Sequence, residues 1–183
     1  IVAANDLSND VSVLLGVGDG TFQPQQRFPI GSGPVAVTLA DVNGDGFMDI
    51  VTANNNSSTV SVLLGNGNGT FQAQLSFATA SSNPNSVAVA DINGDGFADI
   101  AVALSTSSVS VLLGNGNGTF QPQQPFVAGF GSNSVALVDV NADGKIDIVT
   151  ANSVANDFSV LLGNGTGNFQ SPQRFLTGNR PSA

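Results

Sequence analysis

The sequence repeats itself with a period of about fifty residues, and this period limits what the chain can fold into. The segment Val-Ser-Val-Leu-Leu-Gly begins at Val11, Val60 and Val109, and again at Phe158 with phenylalanine in place of the first valine. Two phenylalanines also recur every 49 residues: Phe22, Phe71, Phe120 and Phe169 form one series, and Phe28, Phe77, Phe126 and Phe175 form the other. A chain of this kind places one structural unit in each period and buries the units against one another.

Four short strands are predicted within each period, because apolar residues alternate over short runs that end at turn-forming residues. In the second copy the strands are expected at Val35–Val42, Asp49–Ala53, Val60–Leu64 and Thr70–Phe77. The Asn-Gly pairs between the last two strands favour the positive φ angles of a tight hairpin turn. The sequence therefore predicts an all-β protein, a β-propeller of four-stranded antiparallel blades. A stacked β-solenoid is the alternative, but its repeats are usually shorter and lack two hairpins in each unit.

Alignment of the copies divides residues 1–183 into blades. An incomplete blade covers 1–30, complete blades cover 34–79, 84–128 and 132–177, and a further blade starts at 181–183. The chain begins at the position that aligns with Ile50, so the first blade is expected to lack its first strand. Propellers have about four to eight blades. Three complete blades and one incomplete blade are therefore expected to belong to a larger protein or to take a strand from another chain.

Three acidic loops follow the first strand of the complete blades. The first reads Asp41-Val-Asn-Gly-Asp-Gly-Phe-Met-Asp49, and the loops hold nine of the thirteen acidic residues. Oxygen-bearing side chains at loop positions 1, 3, 5 and 9, with glycine at position 6, are typical of a loop that folds around calcium. Magnesium fits less well because it keeps more of its water. A hairpin that needs no ion is the competing interpretation, since Asp, Asn and Gly all favour turns.

The expected cofactor is therefore Ca²⁺ at three sites, with ligands from four side chains and from the position-7 backbone carbonyl of each loop. The predicted ligands are Asp41, Asn43, Asp45, Phe47 and Asp49; Asp91, Asn93, Asp95, Phe97 and Asp99; and Asp139, Asn141, Asp143, Lys145 and Asp147. The third loop has Ala142 where the others have glycine and Lys145 at position 7, and because position 7 ligates through its backbone this site is expected to survive with weaker affinity.

The joint motif resembles a known family. Val87 to Ile100 (Val-Ala-Val-Ala-Asp-Ile-Asn-Gly-Asp-Gly-Phe-Ala-Asp-Ile) together with Val109 to Phe120 is similar to the FG-GAP/VCBS-type repeats of integrin α-subunit propellers and of many bacterial extracellular proteins. The resemblance covers essentially the whole chain. It implies a calcium-binding propeller with each ion in the hairpin between the first two strands of a blade. It does not imply one activity, because functions are carried by sites and not by folds.

Composition argues against catalysis. The chain has no His, Cys or Glu and a single Lys, so the usual general bases and nucleophiles are missing, and no enzymatic activity is expected. Outside the loops, Asp10 and Asp157 are interpreted as solvated turn residues. The Gly-Asn-Gly-Asn-Gly-Thr segments lack the Lys-Ser/Thr ending and the helix of a phosphate-binding loop.

A formal net charge of −9 disfavours nucleic acid as a partner. No apolar run is long enough to span a bilayer, so membrane insertion is not expected.

The preferred hypothesis is a non-catalytic, calcium-stabilised propeller module that is secreted or displayed on the cell surface and mediates protein or cell-surface interaction. One alternative is a structural subunit of a homopolymer or filament, in which chains complete each other's blades through open edges. Another is a carbohydrate-binding propeller, disfavoured because the chain has no Trp or Tyr. A further alternative is an accessory domain of a larger secreted enzyme.

The repeated phenylalanines are predicted to pack between blades, and Phe47, Phe97, Phe130 and Phe158 are candidate contact residues.

Overall fold

The computed structural model describes residues 1–182 and contains fifteen strands and no helix in that range. The strands form four antiparallel sheets, each built from consecutive strands. Sheet 1 contains β1 (Val2–Asn5), β2 (Asp10–Val13) and β3 (Gln26–Pro29); sheet 2 contains β4 (Pro34–Ala40), β5 (Asp49–Asn54), β6 (Thr59–Leu63) and β7 (Leu75–Ala78). Sheet 3 contains β8 (Pro84–Ala90), β9 (Asp99–Leu104), β10 (Ser108–Leu112) and β11 (Gln124–Val127); sheet 4 contains β12 (Ser132–Val138), β13 (Asp147–Asn152), β14 (Asp157–Leu161) and β15 (Gln173–Leu176). The predicted all-β class and the four-stranded repeat unit are confirmed, whereas closure of the sheets into a ring is not seen in residues 1–182.

The fourth strand of each unit starts later than the sequence pattern predicts. The pattern places its start at Thr70, but β7 begins at Leu75, and only a single bridge between Gly65 and Phe71 precedes it. The other three copies have a proline in this segment (Pro24, Pro122 and Pro172), and proline cannot donate a backbone hydrogen bond to a strand ladder, but sheet 2 has Ala73 there and its fourth strand starts equally late, so proline alone does not account for the difference. The other strand ends of sheet 2 lie within about two residues of their predicted positions, which is the usual uncertainty of such boundaries.

The hydrophobic core is divided into three clusters, and each cluster lies between two successive sheets. Val11 and Val13 of sheet 1 pack with Ile50 and Leu63 of sheet 2. The second cluster joins sheets 2 and 3, and the third joins sheets 3 and 4. A buried aliphatic side chain contributes about 1.5–3 kcal/mol relative to an exposed one. Stability therefore comes from the boundaries between sheets, as the repeat pattern implies.

Six phenylalanines of the two series supply an aromatic contact at each of the three boundaries, which confirms for these six the prediction that they pack between units, whereas Phe22 and Phe175 are nearly half exposed. The ring centres of the two phenylalanines are 5.1 Å apart in the pair Phe28–Phe71, 5.1 Å in Phe77–Phe120 and 5.0 Å in Phe126–Phe169, and all three pairs are edge to face. Edge-to-face pairs add about 0.5–1.5 kcal/mol beyond their burial. A fourth contact is different in kind, because Phe158 and Phe175 stack within sheet 4 at 4.9 Å.

None of the described residues belongs to a helix of the length and apolar character that a membrane crossing would need.

Asparagine side chains also join the sheets, and they are Asn55, which directly follows the second strand of sheet 2, and Asn85, near the start of the first strand of sheet 3. Asn55 donates to Pro84 O and to Asn85 Oδ1, both at 3.1 Å. Asn85 in turn donates to Ser132 O at 3.1 Å and to Asn133 Oδ1 at 3.3 Å. These bonds link sheets 2, 3 and 4 at the end of the first strands opposite to the acidic loops.

Candidate metal centres

The three acidic loops connect the first and second strands of sheets 2, 3 and 4, as predicted. Each loop follows the first strand of its sheet, which contacts the neighbouring sheet. It leads into the second strand, whose side chains are almost all buried. All three predicted sets of oxygen-bearing side chains therefore occupy equivalent places in the fold.

The position-1 aspartate organises each loop by accepting backbone hydrogen bonds. Asp41 Oδ1 accepts from Gly44 N and Asp41 Oδ2 accepts from Gly46 N, both at 2.8 Å. Burial alone would raise the pKa of Asp41, but these donors, with the N–H groups of Asn43 and Asp45, outweigh it and lower the pKa. A carboxylate held in this way is ionised at neutral pH.

Equivalent bonds form in the other two loops. Asp91 accepts from Gly94 N at 2.8 Å and from Gly96 N at 2.9 Å. Asp139 accepts from Gly144 N at 2.8 Å, and this bond is the largest of the causes that lower the pKa of Asp139. The geometry of the first loop is thus a property of the repeat and not of one copy.

The residues at positions 3 and 5 are bonded to each other. Asn43 Oδ1 accepts from Asp45 N at 3.1 Å, and Asn43 Nδ2 donates to Asp45 Oδ2 at 2.8 Å. Asp45 Oδ1 also accepts from Phe47 N at 2.8 Å. The amide and the carboxylate therefore lie side by side on the exposed part of the loop, where each keeps lone pairs that these bonds do not use.

The position-9 aspartate is fully buried and joins the acidic loop to a second turn. Asp49 Oδ2 accepts from Val42 N at 2.8 Å, and Asp49 Oδ1 accepts from Gly65 N at 2.7 Å. Asp99 and Asp147 make the same two kinds of bond, to Ile92 and Gly114 and to Val140 and Gly163. Burial, together with the negative charges at positions 5 and 1, raises the pKa of Asp49 and of Asp99.

Position 7 sits beside the glycine-rich turn. The ring of Phe47 lies where a Cβ on Gly67 would be, and Phe97 lies likewise over Gly116. Both rings are about half exposed, so their expected role as contact residues stays a prediction. In the third loop the stem of Lys145 occupies this place, and Lys145 Nζ lies 3.8 Å from Asp143 Oδ2.

The donor set suits a hard cation, although the side chains are engaged with backbone N–H groups. No group of three or more carboxylates in residues 1–182 lies close enough together to form a ready-made metal site. Each loop nevertheless offers only oxygen ligands, and in the first two loops the buried carboxylates of Asp49 and Asp99 lie among like charges. A divalent cation would offset that repulsion, and calcium tolerates irregular ligand geometry better than magnesium does. The residues present therefore fit a calcium ion.

The interpretation of Asp10 and Asp157 as solvated turn residues is wrong. Both are buried, and each is the first residue of a strand, β2 for Asp10 and β14 for Asp157. Asp10 accepts from Asn5 Nδ2 at 2.7 Å and pairs with Arg27. Asp157 accepts from Asn152 Nδ2 at 2.7 Å and lies 3.8 Å from Arg174 Nε.

The sequence does contain a signal for this pairing. Asp10-Val-Ser-Val13 and Asp157-Phe-Ser-Val160 occupy the same place in their repeats, and an arginine follows each at the same distance. The strand register then places Arg27 opposite Ser12 and Arg174 opposite Ser159. These ion pairs belong to the sheets and not to the acidic loops.

The repeated antiparallel sheets and their acidic loops define a β-repeat protein. Comparison with known proteins identifies its family. The FG-GAP-like repeat matches residues 1–52, 41–102 and 98–150, so the chain belongs to the FG-GAP-like repeat family. No curated protein matches the chain significantly.

Solved structures share the fold. A lectin from Agrocybe aegerita, described in its specific recognition of non-reducing terminal N-acetylglucosamine, is 24% identical with a TM-score of 0.64, over 93% of this chain and 47% of the lectin. A functionally unknown protein from Desulfotomaculum acetoxidans is 14% identical with a TM-score of 0.72, over 98% of this chain and 53% of that one. A protein of unknown function from Bacteroides caccae is 19% identical with a TM-score of 0.53, over 96% and 59%. The chain thus spans about half the length of these structures.

Proposed function

We propose that this chain is a non-catalytic, calcium-stabilised interaction module of a secreted or cell-surface protein, built as part of a β-propeller. The single observation that carries the proposal is the acidic loop, present in three equivalent copies with only oxygen donors and a buried aspartate at its base. The role of calcium in this proposal is to stabilise the fold.

The buried aspartate explains why calcium would stabilise the folded state. Asp49 connects the acidic loop to the turn at Gly65, so an ion held by the loop would also hold these two connections together. A ligand that binds only the native state stabilises it by about 2.7 kcal/mol at a free concentration 100 times its Kd. Extracellular calcium-binding modules typically have a Kd of about 0.1–1 mM, and a secreted or surface location is proposed together with an affinity in that range.

The sequence supports a binding role and not a catalytic one. The whole chain has no His, Cys or Glu, and its carboxylates are committed to loops, ion pairs or exposed turns. The sheets follow one another as propeller blades do, and the fold is shared with structures of about twice this length. The acidic loops occupy equivalent places in successive sheets, so in a propeller they would lie on one face, where a partner would bind.

Calcium titration of protein treated with EDTA tests the proposal. Addition of calcium is expected to raise the melting temperature, and calorimetry is expected to give three ions per chain. Asp95→Ala is the variant of choice, because Asp95 is exposed and its loss leaves the buried Asp99 bonds in place. It should bind one ion fewer and show a smaller shift.

Asp19→Asn is the matched control. Asp19 is an exposed aspartate in the turn of sheet 1, and Asn68 occupies the equivalent position in sheet 2 with the same bonds to a threonine. This variant should retain all three ions. A melting temperature of the parent protein that is the same in calcium and in EDTA would overturn the calcium proposal.

Carbohydrate binding is a second candidate function. The half-exposed rings of Phe47 and Phe97, beside the acidic loops, are the observation that favours it, because aromatic faces stack on sugars. The fold is shared with a lectin that recognises terminal N-acetylglucosamine. A glycan array in calcium buffer tests this candidate, with Phe47→Ser and Phe97→Ser as variants expected to lose any signal. An array without signal would exclude it.

A further inference from the structure

The third acidic loop carries a basic residue that the other two loops lack. Lys145 stands at position 7, where the first two loops have Phe47 and Phe97, and it is the single lysine of the chain. Its side chain is 44% exposed, and Lys145 Nζ lies 3.8 Å from Asp143 Oδ2. Because an ion pair at the surface holds a side chain only weakly, Lys145 is accessible to a protein that recognises basic residues.

The three arginines of the chain are placed differently. Arg27 lies in β3 and Arg174 lies in β15, where each is paired with the neighbouring strand and with a buried aspartate of its own sheet. Arg180 is followed by Pro181, whose fixed φ and missing N–H disfavour cleavage at that bond. Within residues 1–182, the bond after Lys145 is therefore the one bond that follows a basic residue, lies in a loop and leads to a residue other than proline.

The backbone of the third acidic loop is held by hydrogen bonds within the loop itself. Asp139 Oδ1 accepts from Asp143 N at 3.2 Å, and Asp143 Oδ1 accepts from Lys145 N at 3.0 Å. Residues 141–145 are all exposed, and no hydrogen bond joins them to another element of the described chain. Ala142 also has a φ of 61°, a left-handed conformation that alanine rarely adopts. This segment can therefore open locally while the sheets remain intact, as exposed segments with few tertiary contacts do.

The two strands beside this loop are held by the sheet and by the core. β12 pairs with β13 from Ser132 to Val138, and β13 pairs in turn with β14. Val135 of β12 and Ile148 of β13 belong to the same buried cluster. A break in the loop leaves these contacts unchanged, because none of them involves residues 141–145. The chain can thus be cut in this loop without loss of the fold.

We propose that the peptide bond between Lys145 and Ile146 is a processing site for a protease that cleaves after basic residues. The bond between the Lys145 carbonyl carbon and the Ile146 nitrogen breaks, the hydroxyl group of a water molecule joins the carbon, and the remaining hydrogen joins the nitrogen. The two pieces, residues 1–145 and 146–183, stay associated through sheet 4. Cleavage therefore alters the loop surface of sheet 4 without unfolding it. This inference goes beyond the proposed function and does not depend on bound calcium.

Limited digestion with trypsin in EDTA tests the proposal, because EDTA removes any protection by calcium. The digestion is followed over time at a temperature well below the melting temperature, and intact masses are measured after denaturation. The first products are expected to be residues 1–145 and 146–183. Size-exclusion chromatography in native buffer is expected to give both pieces in one peak, at the elution volume of the uncut protein.

Lys145→Phe gives the third loop the residue that the first two loops have at this position. It should be cleaved on the order of tenfold more slowly than the parent chain, because cleavage after Arg27 or Arg174 requires a strand to open. Lys145→Arg is the matched control, and it should be cut at the same bond as the parent chain. Circular dichroism and thermal melting confirm that both variants are folded.

Three results would overturn the proposal. The first is initial cleavage of the parent chain after Arg27 or Arg174, and the second is equally fast cleavage of the parent chain and Lys145→Phe. The third is separation of the two pieces on the column, which would show that the cut unfolds sheet 4.

Discussion

Asp49 Oδ1 accepts a hydrogen bond from Gly65 N at 2.7 Å, and this bond joins two connections of sheet 2 that are sixteen residues apart in the sequence. The other oxygen of Asp49 accepts from Val42 N, so one buried side chain holds the acidic loop, the second strand and the glycine-rich turn together. The same arrangement occurs at Asp99 and Asp147. The position-9 aspartate is therefore a structural residue even before any ion is considered.

Asp49→Asn tests this structural role. An amide nitrogen cannot accept a hydrogen bond, so either Val42 N or Gly65 N loses its partner, and a buried donor without a partner costs about 1–3 kcal/mol. The variant is expected to be less stable by that amount in urea denaturation carried out in EDTA, where calcium cannot contribute. Asp19→Asn, on an exposed turn, should change stability by less than about 0.5 kcal/mol. Equal effects of the two substitutions would contradict the role of Asp49.

Gly65→Ala tests why glycine follows the third strand. A Cβ at Gly65 would collide with Met48 O, and equivalent collisions with Ala98 O and Ile146 O would occur at Gly114 and Gly163. Overpacking against backbone costs about 1–3 kcal/mol, and we expect a loss of stability of at least that size.

Gly16→Ala is the matched substitution, because Gly16 occupies the same position in sheet 1 and a Cβ added there would meet no atom within 4 Å. It should be neutral or slightly stabilising, since alanine restricts the unfolded chain more than glycine does. Chemical denaturation of both variants provides the comparison, and a neutral Gly65→Ala would show that the close approach is not required.

Ala142→Gly should stabilise the protein. Ala142 has φ of 61°, whereas the other two loops have glycine at this position with φ of 75° at Gly44 and 77° at Gly94. A left-handed conformation costs an L-residue about 1–2 kcal/mol, which exceeds the entropy that glycine adds to the unfolded state. The reverse substitution, Gly44→Ala, should destabilise by about 1 kcal/mol although its Cβ meets no atom. The melting temperature is expected to rise in Ala142→Gly and to fall in Gly44→Ala, and shifts of the same sign would refute the argument.

Phe77 and Phe120 are expected to be energetically coupled across the boundary between sheets 2 and 3. Their ring centres are 5.1 Å apart at an interplanar angle of 79°. A double-mutant cycle with Phe77→Ala and Phe120→Ala should give a coupling free energy of about 0.5–1.5 kcal/mol. Additive effects in urea denaturation would mean that the two rings contribute only through burial.

The pairing of Asp10 predicts a dependence of stability on pH. Burial alone would raise the pKa of Asp10, but hydrogen bonds from Asn5, Arg27 and Ser8, and the charge of Arg27, lower it. Because the folded-state pKa is below the ordinary value, the stabilisation is present above about pH 4 and is lost as the pH falls through the folded-state pKa. Asp10→Asn should therefore be less stable than the parent at neutral pH and approach it in acid. A stability difference that stays constant across this pH range would contradict the assignment.

Local patterns in the sequence predict most of the fold, and tertiary contacts account for what they miss. The fifty-residue period, the alternation of residues and the Asn-Gly turns are local signals, so the strands of sheet 2 and the acidic loops follow from them directly. The role of Gly65 cannot be predicted from local signals. The atom that excludes a side chain there is Met48 O, which belongs to a different connection. The burial of Asp10 escapes local patterns for a similar reason, since its partners Asn5 and Arg27 lie on adjacent strands.

The donor types of the acidic loops can be read from the sequence, but their internal hydrogen bonds cannot. Spacing alone places Asp41, Asn43 and Asp45 in one loop. The structure adds that Asp41 accepts hydrogen bonds from the backbone N–H groups of Gly44 and Gly46. That arrangement depends on backbone angles which only the folded loop defines. Ion binding by these loops is part of the proposed function, and the calcium titration tests it.

The aromatic contact between successive sheets has a consequence for how such a protein changes over generations. Every boundary uses the same pair of phenylalanines at the same sequence separation, so each repeat carries both the group that it offers to its successor and the group that it receives from its predecessor. Recombination that adds or removes one whole repeat therefore rebuilds the contact at the new junction without any further mutation. The length of the array is free to vary in steps of one repeat, while a change of a few residues would break the match at a junction.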